Sequence, residues 1–162
     1  VSIETEMSVL KRLSFFACLP EEQLRSLVFG SERLRLGQGK ILYNEGDAAD
    51  CAYVLLGGQI DLYYLLAQAG PDGRQRQFRR VISAVKAGAA LGLFALISDK
   101  QRETGAYMAK RGDVLRINRA SFRRQLKRHE EMRRALSAHV FSNFQAMIFS
   151  LEQRLEKWSI AA

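Results

Sequence analysis

The sequence predicts an α+β protein that is mainly β: an antiparallel barrel or sandwich of short strands, with short helices before it and one long helix after it. Three observations predict this. Between residues 31 and 118, glycine-rich turns recur every eight to twelve residues and separate short runs of alternating polar and apolar character. Before and after that segment the apolar period lengthens to three or four, the helical value. No proline or glycine interrupts residues 121–162. The chain has 162 residues, which is the length of a single domain spanning 1–162.

The helical part before the strands covers residues 4–30. Residues 4–13 carry Met7, Leu10 and Leu13 at spacings of three, and residues 14–19 read as an apolar connection. Pro20 followed by Glu21 and Glu22 starts a second helix, because proline suits a first helical position and acids suit the N-terminal dipole. Gly30 ends it. Strands are then expected at 33–36, 41–43, 51–56, 59–66, 75–85, 105–109 and 113–118. The turn at 69–73, Ala-Gly-Pro-Asp-Gly, is the strongest in the chain and makes 59–66 and 75–85 a hairpin.

After residue 118, residues 120–127 form a helix with Phe122 and Leu126 inward. Glu130 or Glu131 begins a longer one that runs to about Trp158. Val140, Phe144, Met147, Leu151, Leu155 and Trp158 follow at spacings of four, three, four, four and three, and Leu136 and Ile148 widen the face. A near-heptad seam on a helix beyond a separate core points to pairing with a second copy. The alternative is that the helix folds back on its own barrel.

Composition excludes several classes. No apolar run approaches the ~20 residues of a membrane span, and the first residues lack the basic start and apolar core of a secretory leader. Cys18 and Cys51 are isolated, in neither a disulfide framework nor a metal or redox spacing, so a cytoplasmic location is expected. A small barrel can carry metal-dependent chemistry, but this needs histidines on strands. The two histidines, His129 and His139, both lie in the helical tail, so no metal site is expected. No nucleophile elbow and no Walker loop is present, and no catalytic set emerges. The net charge of +8 is uneven: residues 110–134 hold ten basic residues against three acids, and 74–86 hold five against none. Such segments suit a polyanion or simply a solvated surface.

One stretch, residues 91–106, has the parts of an anion pocket. Gly92 allows close backbone approach, residues 93–97 can form a helical turn with free N–H groups, and Arg102 adds a charged fork. A buried turn with a surface arginine fits the same residues.

Residues 41–60, Ile-Leu-Tyr-Asn-Glu-Gly-Asp-Ala-Ala-Asp-Cys-Ala-Tyr-Val-Leu-Leu-Gly-Gly-Gln-Ile, resemble the signature of the cyclic-nucleotide-binding domain family. Pro71-Asp72-Gly73-Arg74 falls where that family has an Asp-Gly hairpin, and residues 114–122 resemble its last roll strand and following helix. Residues 150–158 are similar to the end of the dimer helix in bacterial regulators of the catabolite-activator and fumarate-nitrate-reduction type. The resemblance implies that the strands form an antiparallel β-roll, jelly-roll-like, and that the domain is a regulatory sensor and dimerisation domain, not an enzyme. It implies a homodimer through Val140, Phe144, Met147, Ile148, Leu151, Leu155 and Trp158, and DNA contact only through an output domain not present in this chain. It also implies a ligand site at Gly92, Leu93, Phe94, Ala95, Leu96, Arg102, Glu103 and Thr104. Gly92, Ala95, Leu96 and Arg102 match the family's phosphate cassette. Leu93 stands where the family has a ribose-binding glutamate, and Glu103 where it has a small residue. Leaving the ribose hydroxyl unpaired costs on the order of 1–3 kcal/mol. Glu103 would repel a phosphate or pair with Arg102. The ligand class implied is a cyclic nucleotide, with weak or no binding of cAMP expected. A binder of a different nucleotide and a stand-alone protein-interaction module of the same fold are the other readings.

Overall fold

The computed structural model describes residues 2–161, with side chains described as far as Lys157. Three helices come first: α1 (Ile3–Arg12), α2 (Ser14–Ala17) and α3 (Glu21–Phe29). Ser2 caps α1, its hydroxyl accepting from the Thr5 amide. The expected connection 14–19 contains the single turn α2, because Phe15 and Phe16 both need burial and a helical turn buries them side by side.

Ten strands follow: β1 (Glu32–Leu36), β2 (Ile41–Tyr43), β3 (Ala48–Ala49), β4 (Cys51–Leu55), β5 (Gln59–Ala69), β6 (Gln75–Lys86), β7 (Ala90–Leu91), β8 (Lys100–Gln101), β9 (Gly105–Lys110) and β10 (Gly112–Asn118). They form two four-stranded antiparallel sheets, ordered β1-β10-β4-β7 and β2-β9-β5-β6, with a small β3-β8 pair. This is the predicted roll. The short strands β3, β7 and β8 carry too few residues for alternation to be visible in sequence.

Two apolar clusters fill the structure. One lies inside the roll and joins Tyr53, Leu55, Ile60, Met108 and Val114. The other packs the helices on the first sheet through Leu10, Phe16, Val54, Leu115, Ile117 and Phe122. Phe122 belongs to α4 (Arg119–Arg128), capped by Asn118, whose side-chain oxygen accepts from the Ala120 and Ser121 amides. Glu6 is buried in α1 and paired with Arg33 of β1, which ties the first helix to the roll.

α5 (Glu130–Ala161) is 32 residues long. Its first turns pack on the body: Met132 and Leu136 are buried in the helical cluster. Leu136 is therefore a core residue and not part of a seam, because α5 still touches α4 and the roll at that point. Farther along, Phe144, Met147, Leu151 and Leu155 are exposed in the single chain. No helix among the described residues is long and apolar enough to cross a membrane.

Candidate functional site

The site is built around Arg102, and the Glu-Gly-Asp turn holds it there. The turn closes through the Asp47 amide to Asn44 O (3.2 Å) and the Asn44 amide to the Asp47 carboxylate (2.8 Å). Gly46 adopts φ +86°, a conformation that side chains rarely adopt. The turned backbone then grips the arginine from both sides. The Arg102 amide donates to Asp47 O at 2.7 Å, and the Gly46 amide donates to Arg102 O at 2.8 Å. The signature motif thus holds Arg102 through its backbone, while the Asp47 carboxylate serves to close the turn.

The guanidinium is directed inward. Arg102 is only 7 % exposed. Its Nη2 donates to Cys51 O at 2.7 Å, and its plane lies 4.3 Å from the centroid of the Tyr43 ring and 5.7 Å from that of Tyr53. No carboxylate lies within ion-pair distance of it among the described residues, and its Nε has no hydrogen-bond partner. Aromatic faces offset part of the cost of burying this charge, about 0.5–2 kcal/mol per contact, but a desolvated cation ordinarily needs an anion. Burial pushes the Tyr43 hydroxyl above its ordinary value near 10, against the opposing pull of the Arg102 charge and a Thr104 hydrogen bond. Burial likewise pushes Tyr53 up to about 12.

Gly92 stands opposite the arginine with φ +70°, and a Cβ there would come within 2.4 Å of Arg102 Nη1. It opens the 3₁₀ turn Leu93–Leu96, whose first amides are not used within the turn. Together Tyr43, Gly92, Phe94, Ala95, Arg102 and Thr104 line a cavity of about 280 Å³, with Lys100 and Glu103 also at its wall. Arg119 fixes the far end of the turn: its Nη1 donates to Ala49 O at 2.9 Å and Ser98 O at 3.2 Å, and pairs with Asp99 at 3.0 Å.

The structure brings six of the eight expected ligand residues to this cavity and separates two. Leu96 is fully buried in the helical cluster. Leu93 turns its side chain away, into a second, apolar cavity of about 340 Å³ between Phe15, Phe94, Val140, Phe144 and Met147. Glu103 is exposed and does not pair with Arg102. Tyr43, Tyr53, Cys51 and Arg119 escaped the sequence reading. Tyr43 and Cys51 do flank the Glu-Gly-Asp turn, and that adjacency is the one available signal.

The polar half of this cavity offers an anion a cation without counter-charge and the turn amides not used within the turn. A ribose fits less well, since Leu93 carries no carboxylate and turns its side chain toward the other cavity. Among the described residues no group of three or more histidines, cysteines or acids could hold a metal.

Of the expected seam, Val140, Phe144, Met147, Ile148, Leu151 and Leu155 are all exposed in the single chain. Trp158 lies outside the residues whose side chains are described. Phe141 and Phe149, each 62 % exposed, extend the apolar surface of α5 beyond the predicted face.

Comparison with known proteins agrees with the fold. The sequence model of the cyclic nucleotide-binding domain matches residues 33–129. A cyclic nucleotide-binding-like protein from Brucella abortus is 40% identical, with 75% of this chain and 97% of that chain covered and a TM-score of 0.63. The N-terminal domain of a Streptomyces coelicolor transcriptional regulator has a TM-score of 0.73 at 24% identity, covering 88% of this chain and 94% of its own. The sensor domain of the Pseudomonas aeruginosa regulator DNR has a TM-score of 0.68 at 17% identity, covering 95% and 93%. A search of curated proteins finds no match. The cassette around Arg102, the roll that carries it and the matched residues together make this chain a member of the cyclic nucleotide-binding domain family.

Proposed function

We propose that the chain is the sensor and dimerisation domain of a transcription regulator, with an anion pocket at Arg102 and weak or no binding of cAMP. The observation that carries this reading is the buried Arg102 guanidinium without a counter-charge. Retaining an unpaired cation in the interior is costly unless a ligand anion completes it. Leu93 supports the second part, since its side chain contributes to an apolar wall and offers nothing to a ribose. The exposed apolar residues of α5 support dimerisation: eight large apolar side chains exposed on one helix, among the described residues, are the pattern of an interface. Coupling would run from pocket to interface through the turn at 93–96, where Phe94 lines both cavities and Phe144 lines the apolar one. A ligand that favours one position of α5 would bias that position and pass the bias to an output domain, which would make the DNA contact.

Titration calorimetry with cAMP tests the ligand assignment. Affinity weaker than micromolar is expected, and micromolar or tighter binding would overturn it. A different phosphate-bearing nucleotide is the reading that Arg102 favours next, and the same experiment with other nucleotides ranks them.

A further inference from the structure

The roll accounts for most of the β5–β6 hairpin but not for its outer half. Pairing of β5 with β9 ends at Tyr63↔Gly105, while pairing with β6 continues to Ala69↔Gln75. Six residues of β5 beyond Tyr63 therefore form a two-stranded ribbon, projecting roughly 20 Å at the usual rise. β6 is the edge strand of its sheet, and every residue of it except Val85 is exposed. A long, free edge is a template for another strand.

The side chains state which strand. Arg76, Phe78 and Arg80 share one face of the ribbon, opposite Gln68, Leu66 and Tyr64. Phe78 is 45 % exposed, and Arg80 has no partner among the described residues. Arg76 makes only a 3.7 Å contact with Asp72. On the other face Arg79 is already engaged, 5.0 Å from the Tyr63 ring centroid and 4.7 Å from that of Tyr107. β6 itself carries no acid. The edge thus offers cation, apolar, cation at alternate positions of one face. Val81 and Ile82, both nearly half exposed, continue the apolar character.

We infer that β6 is a strand-addition site for an extended acidic segment of a partner protein, with acids two positions either side of a small apolar residue. Side chains of an added strand on the same face recur every second residue, so the acids meet Arg76 and Arg80 and the apolar residue meets Phe78. A second copy of β6 fits poorly, because like charges would stand near one another across the pair. Nucleic acid is disfavoured by the aliphatic exposure: Leu65, Val81 and Ile82 offer nothing to phosphates. The inference stands apart from the ligand pocket, so it survives or fails independently of it.

The test uses the whole chain and a capped peptide, Thr-Glu-Thr-Val-Thr-Glu-Thr, whose symmetry serves either strand direction. Fluorescence anisotropy is expected to show saturable binding that weakens as salt rises. A Thr-Gln-Thr-Val-Thr-Gln-Thr control, and the variants Arg76→Glu and Arg80→Glu, are each expected to bind at least tenfold more weakly. Hydrogen exchange is expected to slow at amides of residues 75–83 on binding, while the amides of β4 and β10 stay unchanged in wild type and variants, showing an intact fold. No binding at millimolar peptide, equal binding of the glutamine control, undiminished binding by both variants, or no slowing at 75–83 would overturn the inference. So would tighter binding of a single-stranded oligonucleotide that displaces the peptide.

Discussion

Arg102 and the outer half of α5 pose opposite problems. At Arg102 a full charge has been taken out of water and given aromatic faces and a carbonyl, but no anion. On α5, Phe144, Met147 and Leu155 are each more than half exposed to water in the single chain. On the proposed reading, what completes each region differs in kind: a small anion for the first, a protein surface for the second. The two regions meet near Phe94, which lines both cavities.

The largest effect that would break this comparison is at the helix. Phe144→Glu places a charge in the centre of the proposed seam and is expected to weaken dimerisation by more than about 3 kcal/mol, roughly 150-fold. Sedimentation equilibrium reads it directly. A wild-type chain that stays monomeric at high concentration, or a variant with unchanged mass, would remove the interface from α5.

Anion binding comes next. A ligand present at a hundred times its dissociation constant should stabilise the wild type by about 2.7 kcal/mol. With inorganic phosphate or pyrophosphate as the probe, Arg102→Met should abolish this gain in thermal unfolding. Without the probe, Arg102→Met should change stability by less than about 1 kcal/mol. Removing the uncompensated charge offsets the lost Cys51 hydrogen bond and ring contacts. A loss of several kcal/mol would show that the arginine is a structural strut rather than a ligand group.

Gly92→Ala sharpens the same point from the opposite wall. The left-handed conformation costs a residue with a Cβ about 1–2 kcal/mol. The new methyl would also press on Arg102, since no space exists for it at 2.4 Å. Reduced stability together with weakened phosphate binding is the expected result.

The smallest effect concerns alkaline pH. Tyr43 and Tyr53 both titrate above their ordinary value in the folded state, Tyr53 at about 12, chiefly because burial disfavours the phenolate. A raised folded pKa stabilises the protein below the unfolded value, so this contribution is intact below pH 10 and lost as pH rises toward 12. Denaturation curves across that window should flatten in Tyr53→Phe.

Much of the fold was legible because alternation and turn chemistry are local. The hairpin of β5 and β6 announced itself through Pro71-Asp72-Gly73, and α3 through Pro20 and its two acids. The two-residue strands β3, β7 and β8 were not legible, since they exist only where their partners lie. The same holds for the site. Gly92 and Arg102 could be picked out by residue type, but Tyr43 and Tyr53 as the aromatic bed of the guanidinium could not. Their side chains reach Arg102 only after β2 and β4 are folded around it.

The sequence by itself determined the run of antiparallel strands, the helices on either side and the apolar character of the last helix. Periodicity and turn residues act over a few positions and need no distant partner. The tertiary structure decided what those residues do. It moved Leu136 from the seam into the core, turned Leu93 away from the anion cavity, left Glu103 in solvent, and buried Arg102 without a counter-charge. Burial and charge balance depend on which surfaces meet, and in this chain those surfaces are far apart in sequence: Cys51 and Arg102 are 51 residues apart, and Leu136 shares a cluster with Leu10.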